Sequence, residues 1–206
     1  MPKPKRLTLQ GMSDALVKID KLIKNEPDRG AALVGVAYLD DTLRSVLRDY
    51  LVQDTRILDC IFDRSGTAAT FSAKIDLAYS VGLLHRMQFN DLHTMRKIRN
   101  EFAHSWDDIS FQTDNIKQLC FNLEHSIEWL SQLKKRVSDE VLKKLQPRVP
   151  DKSNPREFFR FNLMSIGIGL RYRPDIKPLV PRQEVFRMEY GPLGNEWSPK
   201  HLKPKA

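Results

Sequence analysis

The chain has 206 residues, of which 41% are hydrophobic and 29% charged, and a formal net charge of +8. That length suits one ordinary domain with appendages, and that apolar content supports a packed core, which excludes wholesale disorder. The longest near-continuous apolar run is Ala31 to Leu39, far short of the ~20 residues a bilayer-spanning helix needs, so no membrane association is expected.

The charge is unevenly placed. Residues 1–10 carry three basic groups and no acid, residues 11–145 carry 19 Lys/Arg against 20 Asp/Glu, and residues 146–206 carry 12 against 6. The basic surplus therefore sits on the tails of a nearly neutral body. Such tails can bind RNA or DNA by neutralising phosphates; an extension that merely aids solubility is an equal reading. The first ten residues are basic but lack an apolar h-region, so a cytoplasmic location is expected. Cys60 and Cys120 form no metal-ligand pair and read as buried thiols. His85, His93 and His125 have no partner at ligand spacing, and there is no P-loop, GxGxxG, HExxH or CxxC. No metal and no cofactor are expected.

Proline partitions the chain. None occurs between Pro27 and Pro147, and nine of the twelve fall in the last 60 residues. Proline breaks helices, so the proline-free stretch permits long ones. Periodicity predicts helices at about 12–25, 29–52, 55–63, 67–84, 90–104 and 114–145, with Asn90 and Asp114 as N-caps. Leu33, Val36, Leu39, Leu43, Val46 and Leu47 form one apolar stripe. Leu92, Met95, Ile98 and Phe102 form a second, and Ile116, Leu119, Leu123, Ile127 and Leu130 a third. Stripes of this kind are buried economically against one another, in a helical bundle.

After Pro147 the period changes. Met164, Ile166, Ile168, Leu170 and Tyr172 alternate with small or basic residues, and Phe186, Met188 and Tyr190 repeat the pattern. This predicts a two-stranded β element joined through Pro174, Pro178 and Pro181. The expected fold is an all-α helical bundle with a small C-terminal β element. Its expected organisation is a basic arm at 1–10, a bundle domain at 11–145 and a basic, proline-rich extension at 146–206.

One hexapeptide carries chemistry: Arg99-Asn100-Glu101-Phe102-Ala103-His104. With Leu92 at 0° on a helical wheel, Arg99 falls at about 340°, inside the apolar arc, while Asn100 and His104 fall at about 80° and 120°. A core-facing arginine needs a carboxylate, an interface or a phosphate. Asp40 lies within the stripe of its own helix, which points to an Asp40–Arg99 pair, with Asp76 as the alternative partner. His104, at a helix end, suits the helix dipole. It could also serve as a general base, with Arg99 clamping a phosphate and Asn100 orienting either group. Lys74, Arg96 and Trp106 are candidate nucleic-acid contacts. For Lys74 and Arg96 the alternative is a solvated position, and for Trp106 it is packing over the helix end.

Arg-Asn-x-x-x-His on a helix resembles the signature of the HEPN superfamily. The longer pattern is similar to the mannitol operon repressor family, a helical group that itself resembles HEPN domains. Its residues are Arg29-Gly30-Ala31-Ala32-Leu33, Leu39-Asp40-Asp41-Thr42-Leu43, Thr70 to Ile75, Ala78 to Leu84 and Ile98 to His104. The resemblance covers about residues 12–135 and implies an all-helical domain. By the repressor analogy the protein is a transcriptional regulator without a helix-turn-helix, acting through a protein partner. By the HEPN analogy it is a metal-independent endoribonuclease, toxin-like, with Arg99, Asn100 and His104 pooled across a homodimer. A third reading is an antitoxin or non-catalytic scaffold. Fold analogy does not choose among them.

Overall fold

A computed structural model describes residues 17, 19–124, 126, 127, 131, 153–171 and 179. We number the helices α1 (residues 19–25), α2 (Asp28–Tyr50), α3 (Thr55–Phe62), α4 (Phe71–Ser80), α5 (Arg86–His104), α6 (Asp114–Phe121) and α7 (Pro155–Arg171). The chain is helical, and no strand occurs among the described residues.

Local signals set several helix ends. The Asp54 carboxylate accepts from the amides of Arg56 and Ile57 and starts α3; the Thr70 hydroxyl accepts from Ala73 N–H and starts α4. α4 ends where Gly82 adopts φ 76°, with Leu83 N–H donating to Ala78 and Gly82 N–H to Tyr79. That paired arrangement needs a left-handed residue, which glycine supplies at no steric cost. α5 begins at Arg86, four residues before the expected cap Asn90, because the Gln88 side chain reaches back to accept from His85 N–H.

The long helix expected at 114–145 is interrupted. α6 closes at Phe121, and the chain restarts on caps supplied from far away in sequence. Buried Asp91 accepts from Glu124 N–H at 3.2 and 3.0 Å, and buried Asn162 accepts from Ser126 N–H at 3.2 Å. No local pattern announces caps donated by α5 and α7.

The expected strand at 164–172 is a helix. Asn154 accepts from Glu157 N–H as the N-cap, and Pro155 takes the first helical position, where its missing N–H costs nothing. Pro155, Phe158, Phe159, Asn162, Leu163, Ile166, Gly167 and Leu170 are buried, the i, i+3, i+4, i+7 spacing of a helix. The period-2 pattern of Met164 to Leu170 is a local coincidence within that longer period. The second expected strand, Phe186 to Tyr190, and the proline connection lie outside the described residues, as do the arm at 1–10 and most of 128–152.

α7 belongs to the core. It packs on α2 and α6, so the core extends past the boundary expected at residue 146. Two glycines permit the approach to α2. A Cβ at Gly35 would stand 2.4 Å from Leu163 Cδ1, and one at Gly167 would stand 3.0 Å from the Tyr38 ring. Phe111, in the loop before α6, stacks between Phe102 of α5 and Phe159 of α7, at ring separations of 5.0 and 5.1 Å.

Fully buried Phe158, Phe159, Leu163 and Ile166 each contribute roughly 1.5–3 kcal/mol by burial. A chain ending at residue 152 therefore loses cooperative unfolding. A sharp thermal transition near that of the full chain would show that 11–152 folds alone.

Candidate functional site

The hexapeptide closes α5. The helix buries Gln88, Asp91, Leu92, Met95, Ile98 and Phe102. Arg99 and Asn100 flank that face and are half-buried, while His104 is exposed. Arg99 and His104 thus project from different sides of one helix, about 140° apart at 100° per residue. A single copy does not assemble them into one site.

The expected Asp40–Arg99 pair is not formed. Asp40 instead accepts from Lys74 Nζ at 2.7 Å, and Lys74 also donates to the Ala69 carbonyl at 3.0 Å. Asp40 is partly exposed, and its cation comes from α4. There the ammonium can curl back on the turn before its own helix. Lys74 is 4% exposed, so it does not extend a phosphate-binding surface. The alternative partner, Asp76, is bonded to His93 Nε2 at 3.1 Å. The Arg99 side chain makes no hydrogen bond or ion pair among the described residues. Nε of half-buried Arg96 is likewise without a partner there.

Trp106 does not pack over the helix end. It is 101% exposed, on a loop whose backbone is held firmly. Arg29 Nη2 donates to the carbonyls of Ser105 and Asp107, both at 3.1 Å. Further along, Asp28 Oδ2 accepts from Phe111 N–H at 2.9 Å. Asp28 Oδ1 accepts from Arg156 at 2.7 Å, so α2, α7 and the loop meet at one carboxylate.

A second face of α5 meets α4. Tyr79 and Phe89 stack with ring centroids 4.5 Å apart, and the Arg86 guanidinium lies 5.7–5.8 Å from both rings. Periodicity gave no notice of this cluster, because its members come from two helices.

Of the two cysteines, Cys60 is exposed, contrary to expectation, and Cys120 is buried. Burial, with the charge of Asp28 second, pushes the Cys120 thiol up to about 12. It stays protonated at neutral pH and is no nucleophile. No group of three or more His, Cys, Asp or Glu among the described residues could hold a metal.

Two outcomes follow for stability. Asp40→Ala strands a buried ammonium and costs about 3–5 kcal/mol. Lys74→Met costs less, because Asp40 is about one-third exposed and can rehydrate. Urea melts of the two variants check the order, and equal losses would refute it. Arg99→Ala costs under about 1 kcal/mol, as for a half-buried side chain with no partner to abandon; a collapse of the fold would contradict this.

No family model and no curated protein matches the chain. A solved structure does: a chain of the X-ray structure of the MtlR–HPr complex from Escherichia coli. It is 14% identical, with a TM-score of 0.58, over 79% of this chain and 99% of the other. At that identity the likeness speaks for the fold alone. The helical fold implied by the resemblance to the mannitol operon repressor family is thus the fold this chain adopts, and it continues through α7, beyond the segment that carries the resemblance in sequence.

Proposed function

We propose that this protein is a regulator of the mannitol-repressor-like type that works by docking a protein partner and affects transcription without reading DNA directly. The observation that carries the reading is the shared fold. The solved chain with that fold was crystallised in complex with another protein, HPr. The surroundings of the hexapeptide support a binding role. Its arginine and histidine diverge on one helix, and Lys74, one of the candidate nucleic-acid contacts, is buried in an ion pair.

One observation favours a second reading. Arg99 keeps all five guanidinium donors available among the described residues, as a phosphate clamp would need. In that reading a homodimer brings the histidine of one copy to the arginine of the other. The protein is then a HEPN-type, metal-independent endoribonuclease.

Two measurements test the choice. The purified full chain is titrated calorimetrically with HPr from the same cell, and transcripts are compared between a deletion strain and its parent. A saturable complex and a restricted set of altered transcripts are expected. No complex and an unchanged transcript profile overturn the proposal. RNA cleavage that persists with chelator and is lost in both Arg99→Ala and His104→Ala establishes the nuclease instead.

A further inference from the structure

We propose that the loop carrying Trp106 is the anchor by which this protein docks a different protein through a basic surface patch. The inference deepens the protein-docking reading above and rests on it. Three observations converge on the loop.

The first is exposure. At 101% of its reference area, Trp106 packs against none of the described residues. Tryptophan carries one of the largest apolar surfaces of any side chain and is enriched among the few residues that dominate protein interfaces.

The second is rigidity. The loop backbone is tied to α2 by Arg29, at the carbonyls of Ser105 and Asp107. It is tied to itself by Asp107 N–H on Ser105 Oγ at 3.1 Å and Ile109 N–H on the Asp107 carbonyl at 3.0 Å. Phe111 then anchors it in the core. A partner meets a side chain whose backbone is already ordered, so less conformational entropy is lost on binding.

The third is charge. In a chain of net charge +8, residues 100–116 contain Glu101, Asp107, Asp108 and Asp114 and no Lys or Arg. All four acids are exposed. Arg29 is the cation the structure places against the loop, with Nη2 on the two carbonyls. Nucleic-acid phosphates are repelled by such a surround, which turns Trp106 away from the base-stacking role its residue type first suggests. Lys and Arg on a partner protein are attracted, which favours fast encounter and correct orientation.

The test places a photo-crosslinking benzoylphenylalanine at position 106 of the full chain in its host, and separately at exposed Leu22 and Ile57 as controls. The expected result is a protein adduct from position 106 whose cross-linked peptide is rich in Lys and Arg. It disappears when Asp107→Lys and Asp108→Lys are combined. The purified partner then binds Trp106→Ala roughly thirtyfold more weakly, the size of a hot-spot loss. The melting temperature of that variant stays unchanged, so the loss is not one of folding.

Adducts from position 22 or 57 with none from 106 overturn this site and leave the protein-docking reading standing. No protein adduct from any of the three positions overturns this site, and no calorimetric complex with an unchanged transcript profile overturns the docking reading with it. A nucleic-acid adduct at 106, a second copy of this chain there, or an adduct that survives the charge reversal overturns the basic-partner assignment.

Discussion

Asp28 stands at the first residue of α2 with both carboxylate oxygens engaged. One accepts from Arg156 of α7 and the other from the backbone of Phe111. Arg156 in turn donates to the carbonyls of Ile23 and Glu26, closing the end of α1. The adjoining ends of α1 and α2 thus meet the Phe111 loop and α7, both distant in sequence, at one charge-assisted cluster, at the end of the bundle where the hexapeptide also lies. Loss of that carboxylate would leave the Phe111 amide without its acceptor and the Arg156 guanidinium without its counter-charge, held only by the α1 carbonyls. The Phe102–Phe111–Phe159 stack would lose the bond that holds its central ring in register.

The same logic recurs in the rest of the bundle. Asp91 and Asn162 are buried polar residues, and each caps a backbone amide more than thirty residues away. Lys74 is a buried cation satisfied by Asp40 and by the Ala69 carbonyl. Apolar stripes supply most of the free energy of burial, but they slide easily past one another. Directional bonds from buried polar groups select one arrangement among the many that hydrophobic burial would accept.

The hexapeptide region separates two kinds of chemistry. On one flank of α5, Arg99 is half-buried and unpaired among the described residues. Beyond the helix end, Trp106 is fully exposed among acids. Arg29 links the two regions, since it belongs to α2 yet holds the loop that follows His104. The loop is thus part of the rigid scaffold, as expected for a surface that must present a large apolar side chain to a partner in a defined orientation.

Helix class, the bundle, the positions of α2 and α3 and the end of α5 were legible in the chain, because 3.6-residue periodicity is a local property that core-facing residues must obey. Asp40 and Arg99 also stood out on the helical wheel as charges among apolar residues, although the structure leaves both partly exposed. Their pairing was not legible. A helical wheel does not say which cation meets which acid, and only the packing of α4 against α2 brings Lys74 to Asp40. The strand expected at 164–172 failed for a related reason. Alternation over nine residues is weaker than the helical period over seventeen, but that longer period becomes decisive only when Phe158 and Phe159 meet the core. By itself the sequence determined that there would be helices, that they would bury one another, and that an arginine and a histidine would close one of them. Tertiary structure alone decided which acid meets which base, where α6 stops, that α7 joins the core, and that Trp106 faces solvent. Each of those outcomes depends on groups supplied from far along the chain.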